Sequence, residues 1–308
     1  MIRFLTNALT LARASNLPTV WTNVVIAWTI NATASSSLKI IPPISDLSFF
    51  KWNIFAYLII GGSFIYGAGC TLNDAFDQKF DKKYNPERPI PAGVIKPEKV
   101  WILGFTELII GSILLVWGAL CDPIWVGCLL LAVVIYDVVH KKWVGGIVVM
   151  GLCRLFLWLT AATAMGLSEI APQTWIWGIV LTVYIIGISL FARGESKKQS
   201  ESNRYSILFL FSSPMVTLIA LVYWNQLDPI RIFLANITGL LIGWIAYSSI
   251  LIIKEQKKGA VGKGVSRLLA GICALDATAI SLYCPTLIAP TLCCLSLCVL
   301  LQKKFAAT

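Results

Sequence analysis

Charge is scarce in this chain. Only 13% of its 308 residues are Asp, Glu, Lys or Arg, and His140 is its single histidine. None of the nine cysteines forms a Cys-x-x-Cys pair, so the sequence offers neither zinc-site spacing nor a disulfide framework. Most of the thiols (Cys70, Cys128, Cys153, Cys273, Cys293, Cys294, Cys298) lie in or beside apolar runs, where a thiol behaves as a small hydrophobe. Basic and aromatic residues do not alternate as base-stacking surfaces require, so the net charge of +10 does not imply a nucleic-acid partner. Residues 1–18 carry Arg3 and Arg13 but no apolar core followed by a small-residue cleavage site; the first span is expected to direct insertion. No internal repeat is visible. The Asp-Gly-x-x-Ala-Arg arrangement of alcohol phosphotransferases is missing, and charges inside the apolar runs are too few for a generic ion-driven transporter.

Apolar sequence is abundant. Hydrophobic residues make up 57% of the chain and the mean hydropathy is +0.79. Runs of about 17–24 apolar residues are long enough to cross a bilayer as helices, and too continuous for barrel strands. Spans are expected near 15–35, 54–72, 100–120, 123–139, 146–166, 174–192, 206–224, 230–253 and 266–283. The run 285–301, with Pro285 and Pro290, reads as a further span or a re-entrant tail. The expected fold is all-α: one domain over 1–308, a polytopic bundle of nine transmembrane helices, or ten if the last run crosses. With this topology only Lys39, Lys51 and Arg231 face the side opposite the N-terminus, and Arg154 lies within a span. The remaining 21 of the 25 Lys and Arg gather on the N-terminal side, which the positive-inside rule makes cytoplasmic or its organellar equivalent. This basic face also suits anionic membrane lipid.

Against this background the stretch Asn73-Asp-Ala-Phe-Asp-Gln-Lys-Phe-Asp81 stands out. Asp74, Asp77 and Asp81 recur at i, i+3 and i+7, which puts them on one helical face. Like charges so spaced destabilise a helix, and a cation would offset that cost. Mg²⁺ prefers oxygen donors, takes one or two carboxylates and completes its shell with water and phosphate. Arg88-Pro-Ile-Pro-Ala-Gly93 and many lysines follow, and Arg and Lys suit phosphate oxygens. Acids for a metal and bases for phosphate at a membrane surface point to a lipid-tailed diphosphate.

Asn73-Asp-x-x-Asp-x-x-x-Asp81 followed by Asn85-Pro-Glu-Arg-Pro-Ile-Pro-Ala-Gly93 resembles the first signature of the UbiA superfamily of intramembrane prenyltransferases. Arg13-Ala-Ser-Asn-Leu-Pro-Thr-Val-Trp-Thr-Asn23, Tyr136-Asp-Val-Val-His-Lys-Lys142, Met150-Gly-Leu-Cys-Arg154 and Gly187-Ile-Ser-Leu-Phe-Ala-Arg-Gly-Glu195 look like its EboC-like subgroup. The resemblance implies about nine helices around a lipid-open chamber. Within it a prenyl diphosphate, held with Mg²⁺, ionises to an allylic cation that a hydrophobic aromatic or polycyclic acceptor captures. It assigns Asn73, Asp74, Asp77 and Asp81 to metal and diphosphate, and Arg88 and Lys142 to diphosphate. The family's second aspartate-rich motif is replaced by Phe191-Ala-Arg-Gly-Glu-Ser-Lys-Lys-Gln-Ser200. Glu195 is its one acid and an expected metal ligand; Arg193, Lys197 and Lys198 are placed to neutralise diphosphate. A non-catalytic or transport-linked protein that keeps an isoprenoid-diphosphate shell is the alternative.

Lesser candidates remain two-sided. Asp276 and Arg154 either line the chamber or bond helix to helix, with Asp276 or Glu107 as an ion-pair partner for Arg154. Asn16 and Asn23 share a helical face and serve either the chamber or interhelical bonding. Asp137 and His140 are further candidates at the chamber mouth. The expected location is a bacterial inner membrane or a plastid membrane.

Overall fold

The computed structural model describes residues 8–35, 51–141, 143–194, 206–207, 209–211, 214–215, 217–219, 228–255, 257 and 259–305. Every regular element among them is helical. In chain order they are α1 (Leu17–Ser35), α2 (Trp52–Phe76), α3 (Gln78–Tyr84), α4 (Pro97–Ile113), α5 (Pro123–Val139), α6 (Gly146–Ala162), α7 (Pro172–Gly194), α8 (Pro229–Lys254), α9 (Ala260–Ser281) and α10 (Ile288–Gln302). A π-helical turn, Leu114–Gly118, extends α4.

Among the described residues, six helices are long and apolar enough to cross a membrane: Trp52–Phe76, Pro97–Gly118, Pro172–Ala192, Pro229–Lys254, Ala260–Ser281 and Pro285–Gln302. Pro123–Val139 and Gly146–Ala162 are apolar but shorter. The expected span at 206–224 is only partly within the described residues, which are helical at 206–207, 209–211, 214–215 and 217–219.

Local chemistry sets the helix starts. Asp122-Pro123 and Asp228-Pro229 each combine an N-cap carboxylate with proline in the first turn. Asp122 accepts from the Ile124 amide at 2.8 Å and Asp228 from the Ile230 amide at 3.0 Å. Gly259, with φ of 78°, turns the chain before α9 in a backbone region where a side chain would be strained.

Helix α9 is the most enclosed element, packed against α1, α7, α8 and α10. By contrast, α4 and α8 turn Ile102, Ile109, Trp117, Leu240 and Trp244 outward, as lipid-facing surfaces do. On the side opposite the N-terminal end of α1, Asn31 donates to the Ala162 and Glu169 carbonyls and accepts from the Ala171 amide and Thr174 hydroxyl. That clip ties α1 to the α6–α7 turn.

Small residues let α2 and α4 approach closely. A Cβ on Gly111 would lie 2.9 Å from Ile65 side-chain carbons and 3.0 Å from the Gly61 carbonyl oxygen. Gly111→Val is therefore expected to destabilise the bundle by about 1–3 kcal/mol through overpacking. Thermal unfolding in detergent would read this as a lowered midpoint, and an unchanged midpoint would contradict the contact.

Candidate active site at one end of the bundle

The acid stripe survives the helix junction intact. The Asp77 amide bonds to the Asn73 carbonyl at 2.9 Å, and the Asp81 amide to the Asp77 carbonyl at 2.9 Å, so α2 runs into α3 without losing helical register. Asn73, Asp74, Asp77 and Asp81 are all buried.

Buried acids demand partners, and three other segments bring them to the same end of the bundle. Arg88, in the loop after α3, donates from Nη1 to Asp81 Oδ2 at 2.8 Å and lies 3.4 Å from Asp74 Oδ1. Arg13, just before α1, places Nη2 3.8 Å from Asp74 Oδ1. Its φ is 45°, an uncommon conformation for a residue with a side chain. From the end of α5, Lys141 Nζ reaches Asp77 Oδ2 at 2.7 Å and Asp81 Oδ1 at 3.9 Å, while resting 3.5 Å from the centre of the Phe80 ring. His140 Nε2 lies 3.2 Å from Asp77 Oδ2, its ring stacked on Tyr136.

Burial alone would push the Asp77 carboxyl up, but bonding to His140 and Lys141 outweighs it and holds the group below the usual carboxylate range. Asp77 is therefore an anion at neutral pH, as a metal ligand must be.

The acids differ in how much capacity they keep. Asp81 is 1% exposed and both its oxygens are taken, Oδ1 by Asn85 Nδ2 at 2.8 Å and Oδ2 by Arg88. Its visible role is to hold Arg88 in place. On Asp74 both arginines approach Oδ1, and on Asp77 both bases approach Oδ2, leaving one oxygen of each without a partner among the described residues. Oxygen donors with spare capacity beside guanidinium and ammonium groups suit a hard divalent cation plus diphosphate. Among the described residues no three His, Cys, Asp or Glu side chains form a metal cage unaided. Mg²⁺ does not need one, since phosphate and water complete its shell.

Of the other sequence candidates, Lys142, Glu195 and Lys197 lie outside the described residues, as does the side chain of Arg193. Lys141, next to the expected Lys142, engages the acids; within a His-Lys-Lys run no sequence signal singles it out. Arg13 stood in a motif without an assigned role, and its pairing with Asp74 is a tertiary fact. Asp137 is buried beside the cluster, accepting from Asn73 Nδ2 at 3.2 Å.

Asp276 is not at the mouth. It sits within α9 and accepts from Asn23 Nδ2 at 2.7 Å, an interhelical bond. Asn23 Oδ1 in turn accepts from Arg154 Nη1 at 2.8 Å, and Arg154 Nη2 donates to Thr19 at 3.1 Å. Arg154 therefore makes no direct ion pair with Asp276, and Glu107 bonds instead to Thr71 at 3.1 Å. The Arg154 guanidinium lies 5.3 Å from the centre of the Tyr66 ring, whose hydroxyl accepts from Asn16 Nδ2 at 3.2 Å. Tyr66 is eight residues before Asp74 on α2, about 12 Å along the axis. This second polar layer lies deeper in the bundle than the acid cluster.

Apolar helices of membrane-spanning length, closed at one end by buried acids interleaved with arginine and lysine, define an integral membrane protein. The family model for the UbiA prenyltransferase family matches residues 44–263, and the chain belongs to that family. Among curated proteins it is 50% identical over 50 residues to 4-hydroxybenzoate geranyltransferase 2 of Lithospermum erythrorhizon, covering 15% of this chain and 16% of that enzyme. It is 27% identical over 139 residues to 4-hydroxybenzoate octaprenyltransferase of Aliivibrio salmonicida, covering 44% and 48%. The chain thus matches less than half the length of either relative. In fold it is similar to a digeranylgeranylglyceryl phosphate synthase structure, with TM-score 0.60 and 18% identity over 91% of this chain and 99% of the other. It is also similar to a UbiA homolog from Archaeoglobus fulgidus bound to GPP and Mg²⁺, with TM-score 0.55 and 11% identity over 88% and 99%.

Proposed function

We propose that this protein is a Mg²⁺-dependent prenyltransferase that moves a prenyl group from an isoprenoid diphosphate to an aromatic or polycyclic acceptor inside the membrane. The observation that carries this reading is the buried Asp74–Asp77 pair, each with a spare oxygen, ringed by Arg13, Arg88 and Lys141. In the reaction the allylic C–O bond breaks, the diphosphate leaves with the bonding electrons, and C1 bonds to the acceptor, which then loses a proton. Mg²⁺ held at the acids supplies Lewis-acid neutralisation of the leaving diphosphate. Arg88, Arg13 and Lys141 are preorganised where its negative charge grows. Asn73 and Asp81 complete the acid face, Asp81 by orienting Arg88. The deeper layer around Arg154, Asn23 and Asp276 suits an acceptor with a polar, acidic oxygen, because Arg154 has no contacting carboxylate.

Lys142, Arg193 and Lys197 join the diphosphate-binding charges in this proposal, and Glu195 is the acid left for a second metal. The bundle is proposed to cross nine times, or ten with α10, with the N-terminus and acid loops on the cytoplasmic-equivalent side of a bacterial inner or plastid membrane. The stretches around Asn23, Asp137, Arg154 and Glu195 support the EboC-like subgroup. The basic character of Arg193–Lys198 favours the second reading, a non-catalytic binder of isoprenoid diphosphate.

Purified protein incubated with radiolabelled geranyl, farnesyl or geranylgeranyl diphosphate and a panel of acidic and neutral aromatic acceptors tests the proposal. Transfer is expected with Mg²⁺, falls to background with EDTA, and returns when Mg²⁺ is restored; acidic acceptors are expected to outperform neutral ones. Absence of both transfer and diphosphate release with every donor would overturn the enzyme reading in favour of the binder.

A further inference from the structure

Among the described residues, Asp137 is a buried acid at the bundle mouth with no base in ion-pair contact. It lies near the C-terminal end of α5 and is 4% exposed. Its Oδ1 accepts from Asn73 Nδ2 at 3.2 Å, and its Oδ2 is buried without any hydrogen-bond partner. Among the described residues the neighbouring cations pair with other acids: Lys141 and His140 with Asp77, Arg13 with Asp74, and Arg88 with Asp81 and Asp74. A buried carboxylate with an open oxygen must either stay protonated or acquire a cation, since an unpaired buried charge is among the costliest features of a fold.

Three features favour the cation. First, the side chain beside Asp137 belongs to the acid stripe itself, because Asn73 precedes Asp74 and its amide group also lies 3.5 Å from His140 Nε2. Second, the Asn73 amide oxygen takes no hydrogen bond among the described residues, so two oxygens on hydrogen-bonded neighbours both lack donors. Third, the spare oxygens of Asp74 and Asp77 belong to the same helix end, so oxygen donors without protons to share are concentrated there. Hard divalent cations select that donor chemistry.

We propose that Asp137 is a metal ligand contributed by α5, acting with Asn73 of α2 so that one divalent cation bridges the two helices. Neither the spacing of the acid stripe nor any comparison assigns Asp137 to metal. The proposal deepens the prenyltransferase reading but is tested without turnover. It makes the metal site a product of two helices, and it makes the cation a staple between them. Bound metal should then raise the thermal stability of the whole bundle by mass action.

The test uses the full chain in detergent micelles with Mn²⁺ as the probe. Free Mn²⁺ is followed by its electron paramagnetic resonance signal, and thermal unfolding is recorded with Mn²⁺ and with EDTA. Asp137→Asn keeps the shape of the side chain and an oxygen to accept from Asn73, but removes the charge. The expected result is a Kd for Mn²⁺ raised at least about tenfold, a figure typical of a disturbed metal shell, and loss of most of the Mn²⁺-induced rise in midpoint. Asp137→Ser serves where the asparagine variant does not fold. Wild-type Mn²⁺ affinity and wild-type thermal shift in a folded variant would overturn the proposal and make Asp137 a protonated structural group. Failure of wild type to bind Mn²⁺ would overturn it as well. Asp137-dependent Mn²⁺ binding in a protein that transfers no prenyl group would uphold it while removing the enzyme reading.

Discussion

Asp77→Ala is expected to lower prenyl transfer by about a thousandfold, the scale on which removing a preorganised electrostatic group acts. Asp77 sits at the junction of α2 and α3, buried, with Lys141 at 2.7 Å and His140 at 3.2 Å on one oxygen and the other oxygen spare. Removing the carboxylate would withdraw a proposed metal ligand and release Lys141 from its anchor at the same time. The depressed proton affinity of this group means the wild-type anion is present throughout the neutral range, so raising the pH cannot rescue the variant. Single-turnover transfer at saturating Mg²⁺ and donor separates chemistry from binding. A loss smaller than about tenfold there would remove Asp77 from the metal-binding role.

Arg88→Leu is expected to act on both transfer and stability. Transfer should fall by about a hundredfold to a thousandfold if the guanidinium next to Asp74 serves the leaving group as proposed. Stability should fall by about 2 kcal/mol, since Asp81 is 1% exposed and would keep only Asn85 as a side-chain hydrogen-bond donor. The loss falls below that of a fully buried pair because 29% of the Arg88 side chain is exposed and water screens part of the interaction. Arg88→Lys discriminates the two roles. It should recover much of the thermal midpoint by restoring a charge near Asp81, but little of the transfer, because an ammonium cannot present the planar fork that spans phosphate oxygens. Full transfer by the lysine variant would show that only charge matters at this position.

These two residues also show where local sequence is informative. The i, i+3, i+7 recurrence of Asp74, Asp77 and Asp81 is a property of helical geometry, and the junction at Asp77 preserves it. Arg88 follows Asp81 by seven residues, close enough that a short loop brings it back onto the same acids. What periodicity could not reveal is the division of labour among the acids. Asp81 looks equivalent to Asp74 in sequence, yet it is saturated by Asn85 and Arg88, whereas Asp74 keeps an open oxygen.

The deeper polar layer was legible only as a set of anomalies. Arg154 and Asp276 each stand out as a charge in an apolar run, expected either to line the chamber or to bond helix to helix, with Asp276 or Glu107 as the ion-pair partner of Arg154. Asn23 instead stands between them, bonding to Asp276 across 253 positions of sequence and to Arg154 across 131. A short amide from a third helix interrupts a pair that two helices alone would have formed, and no window of local sequence contains all three.

The sequence by itself determined that this protein is an α-helical membrane protein, because uninterrupted apolar runs have no other way to satisfy their backbone in lipid. It also placed Arg88 beside the acid stripe at one helix end, because residues local to a helix end travel with that end. The tertiary structure alone decided which base meets which acid. His140 reaches Asp77 from 63 positions away, Lys141 lies beside it, and Arg13 arrives at Asp74 through a strained turn before α1. Those pairings depend on how α1, α2 and α5 pack, which is set by distant small and apolar contacts that carry no mark of the charges they bring together.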